Sequence, residues 1–247
     1  MALAVHEKVY PETAAGGFTR MDGSLQFFAR VNALLDPSMD ILEFGAGRGL
    51  SAEWPHRFVR ELSQFKGKVQ KVVGVDVDPA VLENPTVDET HVFDGRTLPF
   101  ADASFDLIIS DHVFEHLPDP AQSAAELDRV LKPGGWLCAR TPYAYSLLAA
   151  ASSLIPNRMH AKLLRRVQAG GSRDAKDVFP THYRLNSFSK LKRHFPASKW
   201  AHYSYTWSPE PAYHFGSPLI VRMLRAFQYL KAPLGGEVLL VFIQKKS

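Results

Sequence analysis

Apolar residues in this chain gather into short unbroken runs, and segments with helical spacing lie between most of them. MDILEF (39–44), VVGVDV (72–77), THVF (90–93), FDLIIS (105–110) and WLCART (136–141) read as strands. Near-continuous hydrophobicity of that kind suits strands covered on both faces, as in a parallel sheet. GSLQFFARVNALL (23–35), residues 57–65 and AQSAAELDRVLKPGG (121–135) place apolar positions at helical intervals, the last closed by Pro-Gly-Gly. The stretch from Pro79 to Pro85 leaves room only for a short helix. This alternation predicts an open α/β sheet with right-handed crossovers.

After Tyr143 the rhythm breaks. A helical KLLRRVQ (162–168) is followed by a segment through 197 that fits neither period. Regular patterns return with a strand over KWAHYSYTW (199–207), an amphipathic helix over 217–230 and a final strand, EVLLVFIQKK (237–246). The helix is expected to cover the sheet, with contact to a membrane as the alternative. The irregular middle reads as an insertion capping the sheet, where substrate-selecting residues would sit.

Composition changes this picture little. The 46% hydrophobic and 22% charged residues are those of an ordinary globular chain. The single cysteine, Cys138, forms no internal disulfide and fits a reducing compartment. Charges in the first residues argue against a signal peptide, and YSLLAAASSLI is too short and serine-rich to span a bilayer. A cytoplasmic location is the expectation. The net charge of +4 is concentrated at Lys162, Arg165, Arg166, Arg173 and Lys176, and at Lys190, Lys192, Arg193 and His194. Each run alone reads as a solvated helix face, and together they allow an anionic partner without identifying one.

Ligands on open α/β sheets bind beyond the C-terminal strand ends, near the switch in strand order. That directs attention to 44–49, 76–78, 94–95 and 110–116. In ILEFGAGRG, three glycines follow a strand at alternate positions. No lysine is placed as a phosphate-cradling loop requires, and Leu50 stands where a dinucleotide fingerprint needs its third glycine. Glu43 at the strand end would repel a pyrophosphate. The loop therefore suits a cationic or donor-rich ligand approached closely by backbone.

ILEFGAGRG, VVGVDVDP, VFDGRTLPFADASFDLIIS, DHVFEHLPDP and RVLKPGG, in this order, resemble the class I S-adenosylmethionine-dependent methyltransferases. The likeness is strongest to the group that includes ubiquinone-biosynthesis O-methyltransferases, and it covers residues 25–142. It implies a Rossmann-like, mainly parallel sheet with an antiparallel last strand and helices on both faces. The chain then reads as one domain: an N-terminal extension (1–24), a cofactor-binding core (25–142), a capping insertion (143–198) and a strand–helix–strand completion (199–247).

The resemblance further implies S-adenosylmethionine as cofactor and S-adenosylhomocysteine as product. Gly45, Ala46, Gly47 and Gly49 would line the methionine moiety, with Glu43 supporting the loop. Asp76 would accept from the ribose hydroxyls, Val77 would pack on adenine, Asp94 would take its amino group, and Gly95 would admit close backbone approach. Ser110 and Asp111 would border the sulfonium end.

For chemistry, a helix starting in DHVFEHLPDP would place His112, Glu115 and His116 on one face. His112 is the first candidate for general base, because imidazole accepts protons near neutral pH. His182 is the second, while His116 reads as an anchor. The same residues spell the inverted zinc-peptidase pattern, but no later acid completes a ligand set. The related O-methyltransferases carry Glu where His112 stands, so a divalent ion is possible there but not expected. Tyr143, Tyr145, Tyr183 and Arg184 are candidate acceptor contacts, with His160 nearby in sequence. The residues after Ser110 lack the amide clamp and aromatic stacker of nucleic-acid amino methylases. The expected acceptor is a small molecule or glycan precursor methylated on oxygen, and nucleic acid is not the expected partner. A non-catalytic binding module, an RNA or lipid methyltransferase and a nicotinamide oxidoreductase are the rivals. The oligomeric state is left open.

Overall fold

In the computed structural model of this chain, the structure describes residues 2–146, 179–211 and 216–247. Strands β1 (Asp40–Phe44), β2 (Lys71–Asp76), β3 (Glu89–Val92), β4 (Phe105–Asp111) and β5 (Leu131–Pro142) run parallel. The last strand, β8 (Val238–Lys245), lies antiparallel between β5 and the short β6 (Trp200–His202). The order is β3-β2-β1-β4-β5-β8-β6, and β7 (Tyr205–Trp207) also pairs with β8. The switch in strand order falls between β1 and β4, whose C-terminal ends carry the glycine loop and Asp111.

Alternate residues of each strand enter opposite cores. Ile41, Val72, Leu107 and Cys138 pack with Phe27, Phe28 and Val31 of α2 (Gly23–Asn32). Leu42, Val73, Ile108 and Leu137 pack with Leu127 and Val130 of α4 (Pro120–Val130), and with Leu191 of the helix Phe188–His194. That helix is α5, and α3 (Arg57–Ser63) flanks α2 on the first face. Burying each such side chain favours folding by roughly 1.5–3 kcal/mol, so both faces of the sheet are fixed by the apolar runs themselves.

Helix starts follow local chemistry. The Asp22 carboxylate accepts from Leu25 N–H at the head of α2, and Asp119 accepts from Ala121 and Gln122 ahead of Pro120 at the head of α4. Such caps satisfy amides that the helix leaves unpaired.

Four expectations need correction. The helix read through Leu35 ends at Asn32. The strand expected over 199–207 is interrupted at Tyr203–Ser204, where the Ser204 hydroxyl rather than a backbone carbonyl accepts from Phe242 N–H. No helix begins at His112: its φ of +57° places it in the left-handed region, and only a 3-10 turn, Phe114–His116, follows. Finally, α6 (Pro218–Lys231) packs chiefly on α1 (Ala2–Val9) rather than on the sheet, its buried Val221 meeting Val5 and Tyr10. KLLRRVQ, His160 and the basic cluster at 162–176 lie outside the described residues.

Candidate active site at the strand ends

The glycine loop is held from below and from both sides. Gly45 and Ala46 donate their N–H groups to the Val75 carbonyl, and Gly47 N–H donates to Asp76 Oδ2 at 2.8 Å. The Asn84 amide donates to the Ala46 and Gly47 carbonyls, both at 3.1 Å, while its oxygen accepts from Thr86. Asn84 is buried, and sequence reasoning gave it no role. Gly45 and Gly47 both have positive φ, but their surroundings differ. A Cβ on Gly45 would lie 2.2 Å from Val113 Cγ2, whereas one on Gly47 would meet nothing within 4 Å. Gly45 is thus required by packing, and Gly47 leaves its face of the loop open to a ligand.

Beside the loop, Asp76 also accepts from Asp78 N–H through Oδ1, at 2.9 Å. A carboxylate has about four acceptor positions, so two bonds leave capacity for hydroxyl donors. Val77 is exposed next to it and Gly95 lies close by. Asp94 takes the Arg96 and Thr97 amides on the same oxygen, Oδ1, at 2.8 Å each, and these bonds hold its carboxyl below the usual range. An open glycine face, an exposed apolar floor and two carboxylates at neighbouring strand ends fit a ligand with ammonium, hydroxyl and amino groups on a planar base.

Glu43 stands at the other flank. Burial, reinforced by Asp111, pushes its carboxyl up to about 8. It is therefore mainly protonated at pH 7, and an ammonium group placed beside it would draw it to the carboxylate form.

The end of β4 is locked. Asp111 receives Arg140 Nε and Nη2 on its two oxygens, each at 2.6 Å, and Arg140 Nη1 donates to Ser24 Oγ at 2.6 Å. The buried guanidinium also stacks over Phe28 and Phe27, 5.5 and 5.8 Å from their ring centres. Ser110 Oγ donates to the Phe44 carbonyl, tying β4 to β1. Ser110 and Asp111 thus fix the frame of the site. A charged residue inside the apolar run WLCART was the signal that could have revealed Arg140.

His112 follows directly, its side chain part-exposed, with Nδ1 3.4 Å from Glu115 Oε1 and Nε2 3.8 Å from Asp111 Oδ1. His116 Nε2 lies 4.0 Å from the same Glu115 oxygen. The carboxylate therefore still sits between both imidazoles, although the predicted helix is missing. Burial opposes charge on Glu115, but the His112 contact and the 2.7 Å bond from Thr141 Oγ1 outweigh it and hold the carboxyl below its usual range. Among the described residues no group of three His, Cys, Asp or Glu side chains is placed to hold a metal ion.

The segment 179–187 straps this turn. His182 and Tyr183 N–H both donate to the Glu115 carbonyl, and Arg184 donates to the Pro118 carbonyl. Buried Asn186 donates to the Pro142 carbonyl at 3.1 Å and to Thr141 Oγ1, extending the Glu115 network. Tyr143 is buried against Phe188 and edge-on to the exposed Tyr145. Of the candidate acceptor contacts, Tyr145 and Arg184 are exposed.

A cavity of about 330 Å³ opens beside α2, lined by Glu7, Thr13, Phe18, Thr19, Asp22, His56 and Glu210 among others. Asp22 caps α2 two residues before Ser24, which accepts from Arg140, so this lining residue lies near the end of β4. Burial holds the Glu210 carboxyl above its usual range, and Asp22 adds to the effect. Scattered from residue 7 to 210, these positions share no pattern along the chain.

A methyltransferase-domain family model matches residues 42–139, the span from β1 to β5 just described. Over this stretch the chain carries a methyltransferase domain, similar to those of S-adenosylmethionine-dependent methyltransferases. A probable S-adenosylmethionine-dependent methyltransferase of Mycolicibacterium smegmatis is 35% identical over 108 residues, 42% of this chain and 38% of that protein. A malonyl-[acyl-carrier protein] O-methyltransferase of Coxiella burnetii is 32% identical over 133 residues, 54% of this chain and 42% of its own. The matched stretches thus span about two fifths of these relatives' lengths. A solved methyltransferase from Methanosarcina mazei superposes with TM-score 0.50 at 19% identity, covering 88% of this chain and 96% of its own. At that identity the likeness concerns the fold. The methyltransferase family uses S-adenosylmethionine, the ligand whose groups the strand-end chemistry fits.

Proposed function

We propose that this methyltransferase transfers the methyl group to a hydroxyl oxygen of a small polar acceptor, a free molecule or a glycan precursor, with His112 as general base. The observation that carries the reading is the placement of His112. It stands at the end of β4, held in a left-handed backbone turn, with the buried Glu115 carboxylate against Nδ1. That contact favours the proton on Nδ1 and leaves Nε2 to take the acceptor's proton.

Bound S-adenosylmethionine supplies a methyl group activated by a positively charged sulfur. The protein's own part is to hold that ligand through the glycine loop, Asp76 and Asp94, and to orient the acceptor. Positioning contributes much of the acceleration in such a reaction, and proton removal adds to it.

The cavity beside α2 supports the acceptor class. Its carboxyls at Glu7, Asp22 and Glu210 and hydroxyls at Thr13 and Thr19 suit a hydroxyl-rich molecule. Among the described residues no lysine or arginine lines it, so a phosphate backbone would meet carboxyls there without a matching cation. This favours a polyol or sugar over RNA. His182, tied by its backbone to Glu115, is the reserve base.

Replacing His112 with Ala is expected to lower turnover about 10²–10⁴-fold while S-adenosylhomocysteine affinity stays within about twofold. The measurement is labelled-methyl transfer across a panel of hydroxylated acceptors, with binding followed separately. Collapse of binding would make His112 part of the cofactor shell. Full turnover in the variant would move the base to His182 or remove the need for one.

A further inference from the structure

We propose that α6 docks this protein on an anionic lipid surface. The helix is fixed with its apolar side outward. Val221 is the anchor, buried against Val5 of α1 and Tyr10 just beyond its end. On the same inner side, Gln228 donates to the Pro209 carbonyl, Arg225 contacts Gln228 and the Met21 sulfur, and Lys231 pairs with Glu237 at 2.9 Å.

These contacts leave Leu219, Met223, Leu230 and Leu234 exposed by 65, 63, 77 and 76%. Leu219, Met223 and Leu230, spaced four and seven residues apart, form one stripe on α6, widened by Phe227 and Tyr229, and Leu234 is exposed in the 3-10 turn that follows. A run of large apolar side chains on an otherwise polar surface marks a contact site. It is long enough to lie along a bilayer interface, while no helix among the described residues is long and apolar enough to cross one.

Charge selects the occupant. Pro218–Lys231 has not one acidic residue, and while Arg225 and Lys231 are engaged on the inner side, Arg222 sits exposed beside the stripe. Against lipid, its head would reach phosphate while its stem stays among the apolar neighbours. A second copy of the chain would bring Arg222 onto the same acid-free face with no carboxylate to meet it. This inference stands independently of methyl transfer.

The test is flotation of the full chain with vesicles of phosphatidylcholine and phosphatidylserine, alongside vesicles of phosphatidylcholine alone. The protein is expected to rise with the anionic vesicles, less so in high salt. Met223→Glu with Leu230→Glu should lower the vesicle-bound fraction about tenfold. Both positions are exposed, so the unfolding midpoint and S-adenosylhomocysteine affinity serve as controls and should not move. Failure of the unmodified chain to float, or equal flotation of the variant, overturns the proposal. So does a dimer that the substitutions convert to monomers, because the stripe would then belong to a second copy.

Discussion

Replacing Arg140 with Ala is expected to cost about 3–5 kcal/mol of folding stability, read as a shifted denaturant midpoint. The reason is what remains behind. Asp111 and Ser24 lose all three bonds from the guanidinium, and Phe27 and Phe28 lose the planar group stacked on them. A half-buried carboxylate at the end of β4 would then lack its cation. Arg140→Lys keeps the charge but not the paired geometry, and should fall between wild type and Ala. Joint replacement of Arg140 by Met and Asp111 by Leu should recover much of the loss, since neither charge is then stranded. A loss below about 1 kcal/mol for Arg140→Ala would mean the pair behaves as an ordinary surface bridge and does not lock the strand end.

Asp76→Ala is expected to weaken S-adenosylhomocysteine binding by roughly 1.5–3 kcal/mol, about ten- to a hundredfold. Two losses combine. The ribose hydroxyls would lose a charged acceptor, and Gly47 N–H would lose the oxygen that sets the loop 2.8 Å away. Asp76→Asn separates them, because its remaining oxygen still accepts from one donor. If loop support dominates, Asn should restore most of the affinity. Should it remain near the Ala value, the negative charge toward the ligand dominates. Unchanged affinity in Asp76→Ala would remove this residue from the cofactor site.

The sheet was legible because parallel strands buried on both faces must be apolar throughout, and β1, β2 and β4 are read almost residue for residue. The polar residues at the strand ends were legible for a related reason: the glycines and acids lie directly after those runs. What the one-dimensional pattern hid were substitutions of one kind of bond for another. Ser204 uses its hydroxyl in place of a ladder carbonyl, so β6 and β7 part within a run that alternates like one strand. His112 adopts a left-handed conformation that spacing does not predict, and the helical reading of His112, Glu115 and His116 gave way to a tight turn. Contacts across sequence were equally invisible. Arg140 and Asp111 stand 29 residues apart, and Asn84 reaches back 38 residues to clamp Ala46. The helix at 217–230 was expected on the sheet because it is amphipathic, but amphipathicity does not say which surface receives the apolar side. Here only Val221 is fully buried, against Val5 and Tyr10, while Leu219, Met223 and Leu230 stay exposed.

Calorimetric titration of the folded chain with S-adenosylhomocysteine tests the central claim most directly. The account predicts affinity on the order of micromolar, near −8 kcal/mol. It also predicts proton release at pH 7. Glu43 is raised to about 8 in the free chain, so it holds its proton there and gives it up when the ligand's ammonium arrives. The observed heat should then vary with the ionisation enthalpy of the buffer. No binding by protein shown to be folded would contradict the claim, leaving the glycine loop and its two carboxylates as fold alone.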